Sequence, residues 1–143
     1  MSVTRKSKEL AGYLRAIKEK LHRVDKWNPR TCAVVNVQEA HVLLSIGPRG
    51  HMTMSEIADR LQLSLSSMTA VIDKLENKKF ILRSRQAKDR RVIEVTLTNA
   101  GRKFYDLVEG AHLKFMTQFL NILSTNEQDI LLKLFRKVTA NLK

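Results

Sequence analysis

The chain lacks most of what a secreted, membrane-bound or catalytic protein needs. Its 143 residues hold one cysteine and two prolines. A single thiol, Cys32, forbids an intrachain disulfide and fits a reducing compartment. No apolar run approaches the ~20 residues of a membrane span. The N-terminus, Met1-Ser2-Val3-Thr4-Arg5-Lys6-Ser7-Lys8, has neither the apolar stretch nor the cleavage site of a signal peptide. The expectation is a cytoplasmic protein with no membrane partner. Catalytic signatures are equally scarce. There is no Gly-rich phosphate loop, no zinc-hydrolase helix motif and no nucleophile elbow. A Cys32–His41 pair as nucleophile and base has no local signature behind it. The reading is a non-enzyme that calls for no cofactor.

Negative charge is scarce too. Against 26 Lys and Arg stand 14 Asp and Glu, a net charge of +12. A field of that size attracts polyanions, nucleic acid first and an anionic membrane surface second. The length fits one domain with one core.

What is present is helical periodicity broken by capping signals. Leu10, Tyr13, Leu14, Ile17, Leu21 and Val24 recur at helical spacing, which predicts a long amphipathic helix that Trp27-Asn28-Pro29 stops. Asn36 stands three residues before Glu39, as an N-cap stands before its box partner. Val37, Ala40, His41, Leu44 and Ile46 follow as a second helix, ending at the turn Gly47-Pro48-Arg49-Gly50. Thr53-Met54-Ser55-Glu56 is a capping box ahead of Ile57, Ala58 and Leu61. Ser64 caps the next helix, whose stripe is Met68, Val71, Ile72 and Leu75. Two capped helices this close together form a helix-turn-helix pattern.

Phe80-Ile81-Leu82-Arg83 and the alternating Val92-Ile93-Glu94-Val95-Thr96-Leu97 read as paired strands. The polar segment 84–91 joins them into a basic hairpin, or wing. Thr98 caps a long helix with Phe104, Leu107, Val108, Ala111, Phe115 and Phe119 on one face. Ser124 to Glu127 is a third capping box, and the last helix carries Ile130, Leu131, Leu134, Phe135 and Val138. The terminal helices have more apolar face than a winged core of about 70 residues covers. The economical solution is a homodimer built on Leu10, Tyr13, Ile17, Leu131, Leu134, Phe135 and Val138.

The chain resembles the MarR family of winged-helix repressors. Two motifs carry the resemblance. One is Ser64-Leu65-Ser66-Ser67-Met68-Thr69-Ala70-Val71-Ile72-Asp73-Lys74-Leu75-Glu76, similar to the family's recognition helix. The other is Asp89-Arg90-Arg91 followed by Leu97-Thr98-Asn99-Ala100-Gly101-Arg102, similar to its wing and wing-to-helix junction. Two positions depart from the pattern. Lys79 stands where the family usually has Gly, which implies a strained backbone angle or an altered turn. Ala70 stands where many members have a larger polar or basic residue, which implies weaker base readout there.

The resemblance implies a mostly α, α+β winged helix. A single domain spans 1–143, with dimerisation helices at about 1–35 and 101–143 and a DNA-binding region at about 36–100. It implies a homodimer on a pseudo-palindromic double-stranded DNA operator, a repressor released by a small anionic or phenolic effector. The effector pocket is expected beside the first helix, with Tyr13 or Ile17 in its wall.

The expected DNA-binding residues follow. Ser64, Ser66, Ser67 and Thr69 open the recognition helix, where N-terminal residues meet base edges and amides meet phosphate. Lys74 is a phosphate contact or a solvated charge. Arg83, Arg85, Lys88, Arg90 and Arg91 make the wing basic. By the resemblance Arg91 enters the minor groove, and Asp89 orients it as a bidentate partner. The competing reading is an ordinary solvated charge run.

Three alternatives stay open: a low-specificity DNA-coating protein, an enzyme of unknown class, and a zinc- or redox-sensing regulator of the same family. The metal-capable residues are His22, Cys32, Glu39, His41 and His112. Their spacing forms no compact ligand motif, so the expectation is no metal. Cys32 as a redox sensor requires an accessible, electropositive setting.

Overall fold

The computed structural model of the chain describes residues 2–26 and 34–142. The expected helix stop at Trp27-Asn28-Pro29 and the candidate sensor Cys32 lie outside the described residues. Six helices and three strands follow one another in this part of the chain. They are α1 (Val3–Lys26), α2 (Val37–Ile46), β1 (His51–Thr53), α3 (Met54–Leu61), α4 (Leu65–Asn77), β2 (Ile81–Arg85), β3 (Ile93–Leu97), α5 (Asn99–Leu120) and α6 (Thr125–Asn141). The chain divides into two compact units: Asp25–Glu109, and Met1–Val24 together with Gly110–Lys143.

In the unit Asp25–Glu109, local chemistry sets the helix starts. Asn36 and Thr53 each form a full capping box, with Glu39 and Glu56 respectively. The Ser64 side chain accepts from the Ser67 amide at the head of α4. Each cap satisfies amides that a helix start leaves without partners.

Helix α4 ends in a Schellman motif. The Phe80 amide donates to the Leu75 carbonyl and the Lys79 amide to that of Glu76. This geometry needs a left-handed residue, usually glycine, and Lys79 takes it with φ of 62°. The strained angle expected at the departure from Gly is therefore present. Gln62 does the same after α3, with φ of 52°.

The sheet has the order β1-β3-β2, both pairs antiparallel. The hairpin expected from 80–83 and 92–97 forms as 81–85 with 93–97, Arg83 opposite Val95. Strand β1 was not expected; Met52 pairs with Val95 from the other side. The core lies under this sheet, from α2, α3, α4 and the start of α5. Leu43, Ile46, Ile57, Met68, Ile72, Leu75 and Ile81 are fully buried.

Helix α2 buries Glu39, Val42, Leu43 and Ile46, while Val37 and His41 are exposed. The core of this unit also extends past residue 100 into the start of α5. Gly101 and Phe104 are buried, and Phe104 stacks at a tilt on Phe80 with 6.1 Å between ring centroids. A Cβ at position 101 would collide with the Phe80 carbonyl oxygen. The glycine of Leu97-Thr98-Asn99-Ala100-Gly101 therefore permits close approach of helix and turn.

The unit of Met1–Val24 and Gly110–Lys143 has a different character. Neither α1 nor α6 contains a buried residue among those described. Its ends are well formed all the same: Ser124 and Glu127 make the expected capping box.

Candidate nucleic-acid interface

Helix α4 hides Met68, Val71, Ile72 and Leu75 and presents the opposite face to solvent. Ser66, Ala70, Asp73 and Asn77 fall on that outward face at spacings of three and four, flanked by Ser67 and Lys74. At its head the three serines bond one another. The Ser64 hydroxyl donates to Ser67 Oγ at 2.9 Å and lies 3.2 Å from Ser66 Oγ. Thr69 turns its hydroxyl back to the Leu65 carbonyl at 2.8 Å. Its hydroxyl proton is thus donated within its own helix, whereas the Ser67 hydroxyl accepts from Ser64.

The wing hairpin extends beyond the core, because only Ile81 and Val95 of its strands are buried. Its tip is a turn closed by the Val92 amide donating to the Asp89 carbonyl at 3.0 Å. Asp89 Oδ1 accepts from the Arg91 amide at 3.0 Å and from Arg91 Nε at 3.3 Å. The expected contact is present, but it is not the bidentate fork expected, since one oxygen serves both donors. Asp89 therefore shapes the turn as much as the guanidinium. The Arg91 side chain remains 93% exposed. Arg85 folds across the tip and donates to the Arg90 carbonyl at 3.2 Å. Lys88 and Arg90 are exposed.

Arg83, expected as one of the basic wing residues, is paired within the chain. Its guanidinium lies 2.8 Å from Asp73 Oδ1, and Nε lies 3.1 Å from Glu76 Oε2. Arg83 is an internal partner of the recognition helix. Its hydrogen bond with Glu76 holds the Glu76 carboxyl below the ordinary range and raises Arg83. Sequence reasoning missed Asp73 and Glu76. Their spacing of three along α4 was the available signal, but nothing local pointed to an arginine in the next strand.

A second ion pair anchors the recognition helix from below. Lys78, its C-cap, reaches Glu39 Oε2 and the Val34 carbonyl, each at 2.7 Å. Burial works against ionisation of Glu39, but the Lys78 and Asn36 hydrogen bonds outweigh it and lower its pKa. Glu39 is therefore occupied as a structural anion rather than available as a metal ligand. His41 is exposed on α2, while His22 and His112 belong to the other unit. Among the described residues no three histidine, cysteine or acidic side chains converge.

The unit Asp25–Glu109 also contains a cavity of about 180 Å³. Val34, Val35, Phe80, Ala100, Phe104 and Leu107 line it, with Lys103 as its one charged wall residue. Tyr13 and Ile17, expected in an effector pocket, do not line this cavity. Tyr13 is exposed, its hydroxyl donating to Glu9 at 3.0 Å.

Comparison with known proteins places this arrangement. A family model described as "MarR family" matches residues 35–93. The HTH-type transcriptional repressor MdtR of Bacillus subtilis is 34% identical over 93 residues. That alignment covers 65% of this chain and 60% of MdtR, so the chain spans less than two thirds of that relative. The uncharacterized HTH-type transcriptional regulator YpoP of B. subtilis is 30% identical over 100 residues, covering 70% of this chain and 71% of YpoP. Among solved structures, Streptococcus pneumoniae FabT in complex with DNA superposes with a TM-score of 0.80 at 24% identity. That match covers 94% of this chain and 95% of FabT, and it establishes likeness of fold.

Proposed function

The chain belongs to the MarR family, and from that premise we propose that it is a sequence-specific, double-stranded DNA-binding transcription regulator. It acts in the cytoplasm as a homodimeric, ligand-responsive repressor on a pseudo-palindromic operator. The observation that carries the reading is the pairing of two exposed elements on one closed core. One is the outward face of α4 with Ser66, Ser67 and Lys74. The other is the wing tip with Lys88, Arg90 and Arg91. A helix of this kind fits a major groove, and an exposed arginine suits the enhanced potential of a narrow minor groove.

Support for the homodimer comes from the other unit. Leu10, Tyr13, Leu134, Phe135 and Val138 are all half-exposed or more, and Ile17 and Leu131 lie beside them in sequence, partly covered. A second copy is the occupant that a two-fold operator requires. The effector reading rests on the 180 Å³ cavity, whose apolar wall and one lysine suit a small aromatic carboxylate.

The test is selection of bound duplexes from a random-sequence pool, followed by footprinting on the enriched site. The expected result is a bounded protected site with two-fold related half-sites, about 10 bp apart from centre to centre. Uniform coverage without an enriched sequence would favour the DNA-coating reading, which the +12 charge also suits. Aromatic carboxylates should raise both the melting temperature and the dissociation constant for DNA; no change in either removes the effector.

A further inference from the structure

The three-stranded sheet has two edge strands, β1 and β2, and Arg83 at the middle of β2 is bonded to the recognition helix. There Arg83 turns toward α4. Its backbone amide donates to Glu76 Oε2 at 3.2 Å, and its Nε donates to the same oxygen at 3.1 Å. Its Nη2 donates to Glu76 Oε1 at 3.2 Å and approaches Asp73 Oδ1 to 2.8 Å. One side chain and one edge amide thus bind two carboxylates that stand a helical turn apart. An edge-strand donor is ordinarily left to solvent or blunted by charge. Here it is tied to the helix. The guanidinium fork suits this task, because it meets carboxylates in a fixed plane.

We propose that Arg83 is a positioning residue: it sets the angle between recognition helix and wing, and neutralises Asp73 and Glu76 on the helix that faces DNA. It is not itself a phosphate contact. The proposal rests on the DNA-binding reading for its consequence and on the geometry above for its mechanism. Asp73 lies on the outward face of α4 with its side chain 50% exposed. An unpaired carboxylate there would repel the phosphate backbone. Paired with Arg83, it costs the interface little, and the wing tip stays aligned with the helix head. Preorganisation of this kind affects affinity by removing ordering costs on binding.

The two roles separate in the sign of one variant and the salt response of another. Asp73→Asn with Glu76→Gln removes two negative charges beside DNA. Simple electrostatics predicts tighter binding; loss of the clamp predicts weaker binding. The probe is a fluorescein-labelled duplex enriched from a random pool by the wild-type chain, followed by anisotropy at several salt concentrations. The expected result is about a tenfold loss for Arg83→Ala, with the slope of log affinity against log salt unchanged within about half a unit. The double carboxylate variant should also lose affinity, and the triple variant should bind no worse than Arg83→Ala alone. Arg83→Lys should recover only part of the loss, since an ammonium cannot span both carboxylates. A slope lowered by about one unit in Arg83→Ala, or tighter binding by the carboxylate variant, would overturn the proposal.

Amide hydrogen exchange supplies an arm that needs no DNA. Releasing Glu76 from Arg83 should speed exchange at Arg83 while the core amide of Ile72 stays protected. Unchanged exchange at Arg83 contradicts the clamp. If the wild-type chain enriches no duplex, the DNA-binding reading fails, and this arm still decides the clamp.

Discussion

The two units place their apolar residues in opposite ways. Asp25–Glu109 closes a core of its own: every buried hydrophobic residue described, from Val35 to Phe104, belongs to it. The unit of Met1–Val24 and Gly110–Lys143 has well-capped helices with comparable apolar periodicity, yet Tyr13 is 61% and Phe135 51% exposed. Helix formation therefore does not distinguish them; what covers the apolar face does. A face that closes on its own chain makes a stable core, and one left exposed within a chain is where the proposed self-association would act. Each half of the comparison can be broken separately.

The largest effect is expected where the core is closed. Ile72→Ala deletes a fully buried side chain of α4 and should cost about 3 kcal/mol in denaturant unfolding. Phe135→Asp should leave that unit folded and instead weaken self-association by about a hundredfold or more. Sedimentation velocity and circular dichroism together check it. If Phe135→Asp unfolds the protein as Ile72→Ala does, the two units do not differ in the way described.

Glu39→Gln sharpens the comparison inside the closed unit. It should lower stability by about 2 kcal/mol at neutral pH, because Lys78 and the Asn36 amide lose their anionic partner. The folded-state pKa of Glu39 lies below its ordinary value of 4.5. Its contribution is therefore complete above that value and lost as pH falls through the lowered one. Unfolding midpoints of wild type and variant should converge as the pH is taken below about 4.5, and remain apart at neutral pH.

The wing carries a smaller effect that leaves stability untouched. Arg91→Ala should weaken operator binding about tenfold and lower the salt slope by about one unit. Asp89→Ala should weaken it as well, about fivefold, although it removes a negative charge, because the turn and Nε of Arg91 lose one shared acceptor. Tighter binding by Asp89→Ala would leave Asp89 without an orienting role. Smallest of all, Lys79→Gly should raise stability by about 1 kcal/mol by relieving the left-handed angle at the end of α4. A loss of stability there would mean that the lysine side chain contributes more than its backbone angle costs.

What could be read from the sequence was what local chemistry decides. Asn36, Thr53, Ser64, Thr98 and Ser124 cap as expected, because a cap involves residues only two or three apart. The recognition-helix stripe was legible from its spacings of three and four, and the wing hairpin from the alternation of its second strand. Strand β1 was not: three residues carry no alternation, and it exists because β3 has a second edge to fill. The burial of Glu39 was not legible either, because its partner Lys78 lies 39 residues away. Arg83 read as one more wing cation because its partners, Asp73 and Glu76, lie on the preceding helix. The residues that position the interface were the hardest to see, since their partners come from other elements.

The most direct test of the central contrast is sedimentation equilibrium of the wild-type chain at micromolar concentration without DNA. The exposed apolar face of the unit Met1–Val24 and Gly110–Lys143 predicts a particle of twice the 16.4 kDa chain mass. A well-folded, non-aggregating species of one chain mass would contradict it.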